Sequence, residues 1–343
     1  MLAKAYLYNR DWPNAVTACA NALAIADADG YTLMPDYVYM MSYDSQENAD
    51  NTEFIYTFPF ILNGATTGNQ NEMQVERLCR DAPLKVKNIY GAGWGYALPS
   101  RNLVEAFEPG DPRREYSMWI PGDFYGVYNE DDDFTIPGDP LHGTVDTVIH
   151  KGDNIYYKYA WSYANTNTRK IWQRSMVDGK ALQIDDSYAG YDIPLLRYAD
   201  LVLFYAEALI ENGQVNEGMA QINRVRARPS VNMPPLTATD QNDARKKLRH
   251  ERRIELNMEG LRLHDLMRWT RDDGGSGIVP GTTPGSYLEQ TFGSGLNGVP
   301  VLMRYGDDVT LKGQSLEFPK NLLFAIPQEE IDRNKLCDPN PGW

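Results

Sequence analysis

The positions of apolar residues predict a helical hairpin at the start of the chain. Apolar and small side chains recur there at the three- and four-residue spacing of one helix face. They are Leu2, Ala5, Tyr6, Val16, Cys19, Ala20 and Leu23. Between the two runs, Asp11 can cap a new helix and Pro13 is tolerated in its first turn. Small residues at the contacts permit close packing, which is typical of a tetratricopeptide-like hairpin over residues 1–30. A plain antiparallel helix pair is the alternative.

Helical spacing returns in residues 191–343. Apolar stripes predict one helix from about residue 195 to 211 and another from 215 to 227, with Asn212-Gly213 ending the first. A glycine-rich stretch over residues 271–316 is expected to form a long surface loop. We therefore expect a C-terminal helical scaffold that is interrupted by one large loop.

Residues 31–190 lack this helical period. Short apolar runs such as residues 53–60 favour strands or extended chain, and glycine, asparagine and threonine dominate the stretch that follows them. The expected fold class is mostly α. Tetratricopeptide-like helical hairpins form the scaffold and carry a large, irregular, loop-rich segment that binds the ligand.

Composition narrows the classes of function. The 343 residues have a net charge of −14, which argues against nucleic acid as a partner because phosphates require a basic surface. The 22 tyrosines and 7 tryptophans exceed the needs of a core and supply flat rings for stacking. Three scattered cysteines do not make a disulfide framework, and no apolar run reaches membrane-spanning length. No signal peptide is visible at Met1.

Two aromatic clusters in the irregular segment are candidate binding surfaces. Glycines flank Trp94 and Tyr96, so a bare backbone presents two large rings. Trp161 and Tyr163 lie in a second stretch rich in tyrosine and tryptophan. Because such rings stack on the C–H faces of sugars, all four are candidates for glycan binding. The alternative for Trp94 is an anchor in the core beneath a glycine-rich turn.

Two glutamates interrupt the apolar face of a predicted amphipathic helix near residue 250. Glu251 lies in the middle of that face with Glu255 beside it, and a carboxylate so placed needs a guanidinium partner. Candidate partners in the same region are Arg197, Arg252, Arg253, Arg262 and Arg268. We expect a set of structural ion pairs that includes Arg197, Glu251, Glu255 and Arg262. Glycoside hydrolysis is the alternative, but flanking arginines lower the pKa that a general acid must have raised.

The sequence indicates no metal or cofactor site. The acidic run from Glu130 to Asp133 could hold Ca²⁺, but it lacks the residue order and the distal glutamate of an EF-hand loop. A solvated acidic loop is the favoured interpretation. His250-Glu251 does not begin a zinc-binding pair, because Ile254 occupies the position of the second histidine.

A long, ordered set of residues between positions 193 and 269 carries a family resemblance. The set is Pro194, Arg197-Tyr198-Ala199, Tyr205-Ala206-Glu207-Ala208, Ile222-Asn223, Val225-Arg226-Ala227-Arg228, Glu251-Arg252-Arg253-Ile254-Glu255-Leu256, Glu259-Gly260, Arg262, Asp265-Leu266 and Arg268-Trp269. It resembles the SusD/RagB family of surface glycan-binding proteins. Residues 4–16 are similar to that family's tetratricopeptide helices, and residues 325–334 to its C-terminal signature.

The resemblance implies a non-catalytic protein that takes part in nutrient uptake. It would bind a polysaccharide or oligosaccharide, as starch-binding members do, and deliver it to a SusC-like TonB-dependent transporter. It would lie at the outer-membrane surface through a lipid anchor, although no lipoprotein signal or lipid-anchor cysteine occurs in this chain. A protein-interaction scaffold of the transporter complex is the second interpretation, because tetratricopeptide hairpins commonly bind proteins. A glycoside hydrolase is the third.

Overall fold

The computed structural model describes two compact units. The described residues are 1–47, 49–58, 99, 101–120, 122–127, 131–136, 145–156, 167–170, 192–262, 264–265, 268–269 and 325–340. The larger unit contains the described residues up to Gly260, and the smaller unit contains those from Leu261 onward. The segment borders that we predict near residues 30 and 190 both lie inside the larger unit.

Helices make up most of the regular structure. In chain order they are α1 (Leu2–Tyr8), α2 (Trp12–Ala28), α3 (Tyr37–Met40), α4 (Tyr43–Glu47), α5 (Arg101–Val104), α6 (Arg113–Ser117), α7 (Tyr198–Glu211), α8 (Val215–Arg226), α9 (Gln241–Glu255) and α10 (Gln328–Arg333). The mostly α fold class is therefore confirmed. Within the described part of the chain, no helix combines the length and the apolar character that a membrane span requires.

Short strands lie between the helical regions. They are β1 (Phe54–Phe58), β2 (Met118–Trp119), β3 (Phe124–Val127), β4 (Phe134–Ile136), β5 (Thr147–Ile149), β6 (Asn154–Tyr156), β7 (Asn167–Thr168) and β8 (Ile193–Arg197). They form antiparallel pairs, β1 with β8, β2 with β7, β3 with β6 and β4 with β5. In the order of the chain, the β4–β5 pair is nested inside the β3–β6 pair.

The first hairpin consists of α1 and α2, as the apolar spacing predicts. The Asp11 side chain caps α2 by accepting a hydrogen bond from the backbone N–H of Asn14 at 3.4 Å. Just before it, Arg10 adopts a left-handed backbone with φ of 61°, which turns the chain between the two helices. The signals that define this hairpin are local, so the sequence alone locates it.

The second hairpin consists of α7 and α8. Gly213 follows α7 with φ of 83°, a conformation that glycine adopts without strain. The first helix begins at Tyr198 and not near residue 195, because residues Ile193–Arg197 form β8 and pair with β1. The partner strand is more than a hundred residues away in sequence, so the local pattern could not reveal it.

Helix α7 is the centre of the larger unit and packs against α2, α8 and α9. The core between α1, α2 and α7 consists of Ala3, Leu7, Ala15, Cys19, Phe204 and Ala208. Helices α7 and α8 approach closely at Gly218, where an added Cβ would lie 2.9 Å from the carbonyl oxygen of Ala206. Small residues therefore set the spacing of these helices.

The helices α3 and α4 lie in the stretch where the sequence shows no helical period. The Asp36 carboxylate caps α3 by accepting hydrogen bonds from the backbone N–H groups of Val38 and Tyr39, at 2.8 and 3.0 Å. Such short helices do not complete two turns and therefore leave no periodic signal. Tyr37 and Met40 of α3 enter a second core cluster together with Phe54 of β1.

Candidate functional site

The aromatic residues that we single out for glycan binding lie outside the described residues. They are Trp94, Tyr96, Trp161 and Tyr163. Their assignment stays a prediction. The described residues do contain Glu251 and Glu255 of the amphipathic helix, and these two carboxylates belong to a buried cluster of charges.

We call this set the ion-pair cluster. It joins five carboxylates to five cations, namely Glu53, Asp111, Glu251, Glu255 and Glu259 with Arg113, Lys170, Arg197, Arg226 and Arg228. Each of these side chains is at most 5% exposed. Buried charges are tolerated when they are paired and hydrogen-bonded in this way.

Glu255, the last residue of α9, is the centre of the cluster. Its Oε1 accepts hydrogen bonds from Arg197 at 2.8 Å and from Arg228 at 2.9 Å. Its Oε2 accepts one from Arg113 at 3.0 Å. The backbone carbonyl of the same residue accepts hydrogen bonds from Tyr37, at 3.1 Å, and from Arg197, at 2.7 Å. Three chain segments therefore meet at one carboxylate.

Glu251, one turn earlier on α9, pairs with two other arginines. Its Oε1 lies 2.5 Å from Arg113 Nη1 and its Oε2 lies 3.0 Å from Arg226 Nη1. Neither arginine is among the partners that the sequence proposes for it. Arg252, one of those proposed, pairs with Asp200 of α7 at 2.9 Å. The position of Glu251 on the apolar helix face shows that its carboxylate needs a partner. Arg113 is 138 positions away, so no local sequence pattern identifies it as that partner.

Arg262, the fourth residue of the expected ion-pair set, contacts an aromatic ring, and its place among the ion pairs stays a prediction. It belongs to the smaller unit, where its guanidinium carbon lies 5.7 Å from the centre of the Trp269 ring. Arg268 lies over the same ring at 4.9 Å and donates to Asp265 at 2.8 Å. These contacts join cations to an aromatic ring inside the smaller unit.

Local structure positions the arginines of the cluster. Arg113 begins α6, and its Nε and Nη2 donate to the Asp111 carboxylate, which holds the guanidinium plane. Arg197 ends β8 and precedes α7, where Glu53 Oε1 lies 2.6 Å from its Nη1. Arg228 follows α8 and reaches the other oxygen of Glu53 at 2.7 Å. Strand ends and helix ends therefore project these side chains to one point.

Lys170 joins the irregular segment to the end of α9. Its Nζ donates to Glu259 Oε1 at 2.5 Å and to the Glu255 carbonyl at 2.7 Å. It also lies 5.0 Å from the centre of the Tyr37 ring. Burial lowers the pKa of Lys170 to about 8, although the Glu259 charge acts in the opposite direction. The sequence gives no signal for this residue.

The cluster favours the ionised form of Glu255 and Glu259. Burial by itself raises the pKa of Glu255, but the guanidinium groups of Arg228, Arg197 and Arg113 outweigh burial and hold that pKa well below its ordinary value. The pKa of Glu259 is lowered in the same way, because Arg197 and Lys170 outweigh its burial. A general acid needs a raised pKa and access to substrate. Glu255 has neither, which argues against a hydrolytic role for the Glu251–Glu255 pair.

These lowered pKa values predict acid sensitivity. A carboxyl whose pKa is lower in the folded than in the unfolded chain stabilises the fold above its unfolded pKa, near 4.5 for Glu255 and Glu259. That stability is lost progressively as the pH falls below this value.

We expect the free energy of unfolding, measured by urea titration, to fall steeply between pH 5 and about pH 3. A Glu255→Gln variant should lose less over the same interval. An unfolding free energy that stays constant from pH 6 to about pH 3.5 would contradict the ion-pair cluster.

In the described part of the acidic run, two carboxylates pair with basic side chains. Asp131 lies 2.6 Å from the Nζ of Lys151, and Asp133 lies 2.7 Å from the Nδ1 of His150. Both pairs are exposed and join the chain just before β4 to the chain just after β5. Glu130 lies outside the described residues. Among the residues that the structure describes, no group of three acidic, histidine or cysteine side chains could hold a metal ion.

An exposed aromatic pair is present in the irregular segment, at positions that the sequence did not single out. Phe124 of β3 and Tyr156 of β6 lie opposite each other across the ribbon, with ring centroids 6.0 Å apart. They are 48% and 49% exposed. Tyr156 opens the aromatic-rich stretch that contains Trp161, which is the one signal that the sequence offers for it.

Comparison with known proteins identifies relatives of limited identity. SusD-like protein P2 of Formosa agariphila is 26% identical over 282 residues, which are 78% of this chain and 49% of that protein. The starch-binding protein SusD of Bacteroides thetaiotaomicron is 28% identical over 172 residues, covering 50% of this chain and 25% of the relative. The chain thus spans about half of the length of the first relative and a quarter of the second.

Solved structures share the fold. The structural match with a SusD homolog from Bacteroides thetaiotaomicron covers 100% of this chain and 62% of that protein's chain, with a TM-score of 0.67 and 20% identity. The match with surface glycan-binding protein A from Bacteroides fluxus covers 99% of this chain and 61% of that protein's chain, with a TM-score of 0.61 and 20% identity. The sequence profile of the SusD family matches residues 52–343. The resemblance inferred from the sequence is confirmed, and the chain belongs to the SusD family.

Proposed function

We propose that this protein binds a polysaccharide or oligosaccharide without transforming it. The observation that carries the proposal is membership of the SusD family over residues 52–343, since a relative is named a starch-binding protein and a structural neighbour a surface glycan-binding protein. The buried, fully ion-paired state of Glu251 and Glu255 supports the non-catalytic part. The protein would act at the outer-membrane surface and deliver its ligand to a SusC-like TonB-dependent transporter.

The ion-pair cluster supports this function indirectly. Arg113 and Lys170 belong to the irregular segment that we expect to bind the ligand, and they contact Glu251, Glu255 and Glu259 at the end of α9. The cluster therefore fastens that segment to the helical scaffold. A binding surface made of short strands and loops needs such rigid support to hold its rings in place.

Substitution of the candidate aromatic residues tests whether they bind the glycan. Each ring that a sugar covers removes roughly 50–100 Å² of apolar surface from water, worth about 1–2.5 kcal/mol before the costs of association. We expect Trp94→Ala and Trp161→Ala each to weaken retention in a polysaccharide gel about tenfold, as measured by affinity electrophoresis. Tyr8→Ala is the matched control, because Tyr8 is an aromatic residue of α1 that is 41% exposed and lies outside the segment expected to bind the ligand. Unchanged retention in both tryptophan variants would remove these residues from the site.

A protein-interaction scaffold is the second candidate function. The observation that favours it is the apolar surface of the first hairpin, where Leu2 and Ile25 are each 63% exposed. Helical hairpins of this kind commonly present such positions to a partner protein. Capture of the transporter by a chain that is retained on no glycan would favour this function over the first.

A further inference from the structure

Two aromatic rings, those of Phe124 and Tyr156, contact each other on the exposed face of the β3–β6 pair, and we call them the aromatic corner. Phe124 and Tyr156 are paired residues of the antiparallel strands, and their rings meet at an interplanar angle of 72°. About half of each side chain is open to solvent. Two large rings that contact each other at nearly a right angle, and still leave so much surface exposed, offer a shaped apolar contact.

Strand alternation adds an amide to the same face. In β6 the exposed residues Asn154 and Tyr156 flank Ile155, which is only 1% exposed. Successive side chains of a strand point to opposite sides, so Asn154 lies on the aromatic side, roughly 7 Å from Tyr156 along the strand. Val127 pairs with Asn154 from the opposite strand and is 36% exposed. The strand residues that form this face are therefore aromatic, aliphatic and amide, without a formal charge.

We propose that Phe124, Tyr156 and Asn154 form a binding subsite for one pyranose unit of the glycan. One ring would stack on a C–H face of the sugar, and the second ring would contact its edge. The Asn154 amide, which has both donors and an acceptor, would bond to the hydroxyls. This inference rests on the proposed function and extends it to residues other than the four candidates Trp94, Tyr96, Trp161 and Tyr163.

The shape and charge of the corner favour a sugar over other occupants. A flat aromatic ligand could stack on only one of two rings that meet at 72°. A puckered pyranose has C–H groups on its face and on its edge, so it can contact both rings. The strand residues that the structure describes on this face are uncharged on a chain of net charge −14, which suits a neutral ligand better than an anionic or cationic one. An amide beside the rings suits hydroxyl groups better than a purely apolar protein surface.

The experiment uses the full chain and separates stacking from simple apolar contact. Wild type and variants are run in native gels that contain amylopectin, a β-glucan or a xylan, and the polysaccharide that retards the wild type serves as the probe. We expect Phe124→Ala and Tyr156→Ala each to weaken retention about tenfold. Phe124→Leu keeps an apolar side chain in the strand but removes the ring, and it should weaken retention nearly as much. Tyr8→Ala, which removes an exposed ring from α1, should leave retention unchanged.

Each outcome has one meaning. Loss of retention in the Phe124 and Tyr156 variants, with Tyr8→Ala unaffected, supports the subsite. Full retention in Phe124→Leu with loss in Phe124→Ala shows that any apolar side chain suffices at this position, and it overturns a subsite built on ring stacking. Retention of every variant at the wild-type level overturns the subsite but leaves the proposed function standing. A wild type that no polysaccharide retards overturns the proposed function and the subsite with it. Unchanged far-UV circular dichroism and an unchanged urea-unfolding midpoint of the Phe124→Leu variant verify that the variant protein is folded.

Discussion

Replacing Glu255 with alanine is expected to lower the free energy of unfolding by about 3–5 kcal/mol. The substitution removes the carboxylate that Arg113, Arg197 and Arg228 share, and it leaves their charges in an interior that water does not reach. Each of these arginines keeps another carboxylate partner. We therefore expect a loss of unfolding free energy typical of one broken buried ion pair, and not three times that loss. Urea unfolding at pH 7, followed by circular dichroism, measures the change.

Glu115 provides the matched control for this substitution. It is a glutamate of α6 whose carboxylate lies 3.9 Å from Arg169, and its side chain is 57% exposed. An exposed pair of this kind contributes about 0–1 kcal/mol. Glu115→Ala should therefore change the unfolding free energy by less than about 1 kcal/mol. Equal effects of the two substitutions, or a Glu255→Ala variant that unfolds like the wild type, would show that the cluster does not hold the fold.

Replacing Gly218 with alanine is expected to destabilise the protein by about 1–2 kcal/mol, although alanine is the better helix former. The added Cβ would lie 2.5 Å from Cγ1 of Ile210 and 2.9 Å from the carbonyl oxygen of Ala206. The Ile210 side chain could move, but the carbonyl belongs to the backbone of α7. The two helices would have to separate, which disturbs the packing on which α7 depends. Thermal and urea unfolding of the variant test this expectation.

Asn216→Ala separates the two contributions to the Gly218 result. Asn216 is an exposed residue of the same helix, so an alanine there changes helix propensity without changing the contact between α7 and α8. We expect its effect to be within about 0.5 kcal/mol and in the stabilising direction. If Gly218→Ala also stabilises the protein, then α7 and α8 do not approach as closely at this point as the structure shows.

The sequence predicts those parts of the fold that local signals determine. The capping carboxylate of Asp11 and the glycine at position 213 mark helix boundaries that the structure reproduces. Apolar spacing locates α2 and α8 because each helix buries one continuous face. The residues that match the SusD family lie in the same helical region, which is why the family was identifiable from the sequence.

The parts that the sequence missed depend on contacts between distant positions. The partner of β1 is β8, and the partners of Glu251 are Arg113 and Arg226. No periodic pattern reports such pairings, since they form only when the chain folds. Met258 illustrates a different limit, because its apolar character does not indicate where the helix ends. It lies beyond α9 in a left-handed conformation with φ of 61°, and a short-range pattern cannot indicate that conformation for methionine.

The candidate site was predictable in its chemistry and only in part in its position. The expectation that buried glutamates require arginines followed from one helix face and the cost of an unpaired buried charge. The aromatic residues Trp94, Tyr96, Trp161 and Tyr163 stay predictions, because they lie outside the described residues. The Phe124–Tyr156 corner could not be predicted, since it requires the register of two strands that are separated by a second ribbon.

Affinity electrophoresis of the unmodified chain, combined with an assay for reducing ends, tests the central claim most directly. We expect at least one neutral polysaccharide in the gel to retard the protein, with a Kd of about μM to mM as two or three stacking platforms allow. We also expect no new reducing ends after prolonged incubation with the same polysaccharide. Free migration in every polysaccharide gel would contradict glycan binding, and release of reducing ends that is lost in Glu251→Gln would contradict the non-catalytic role.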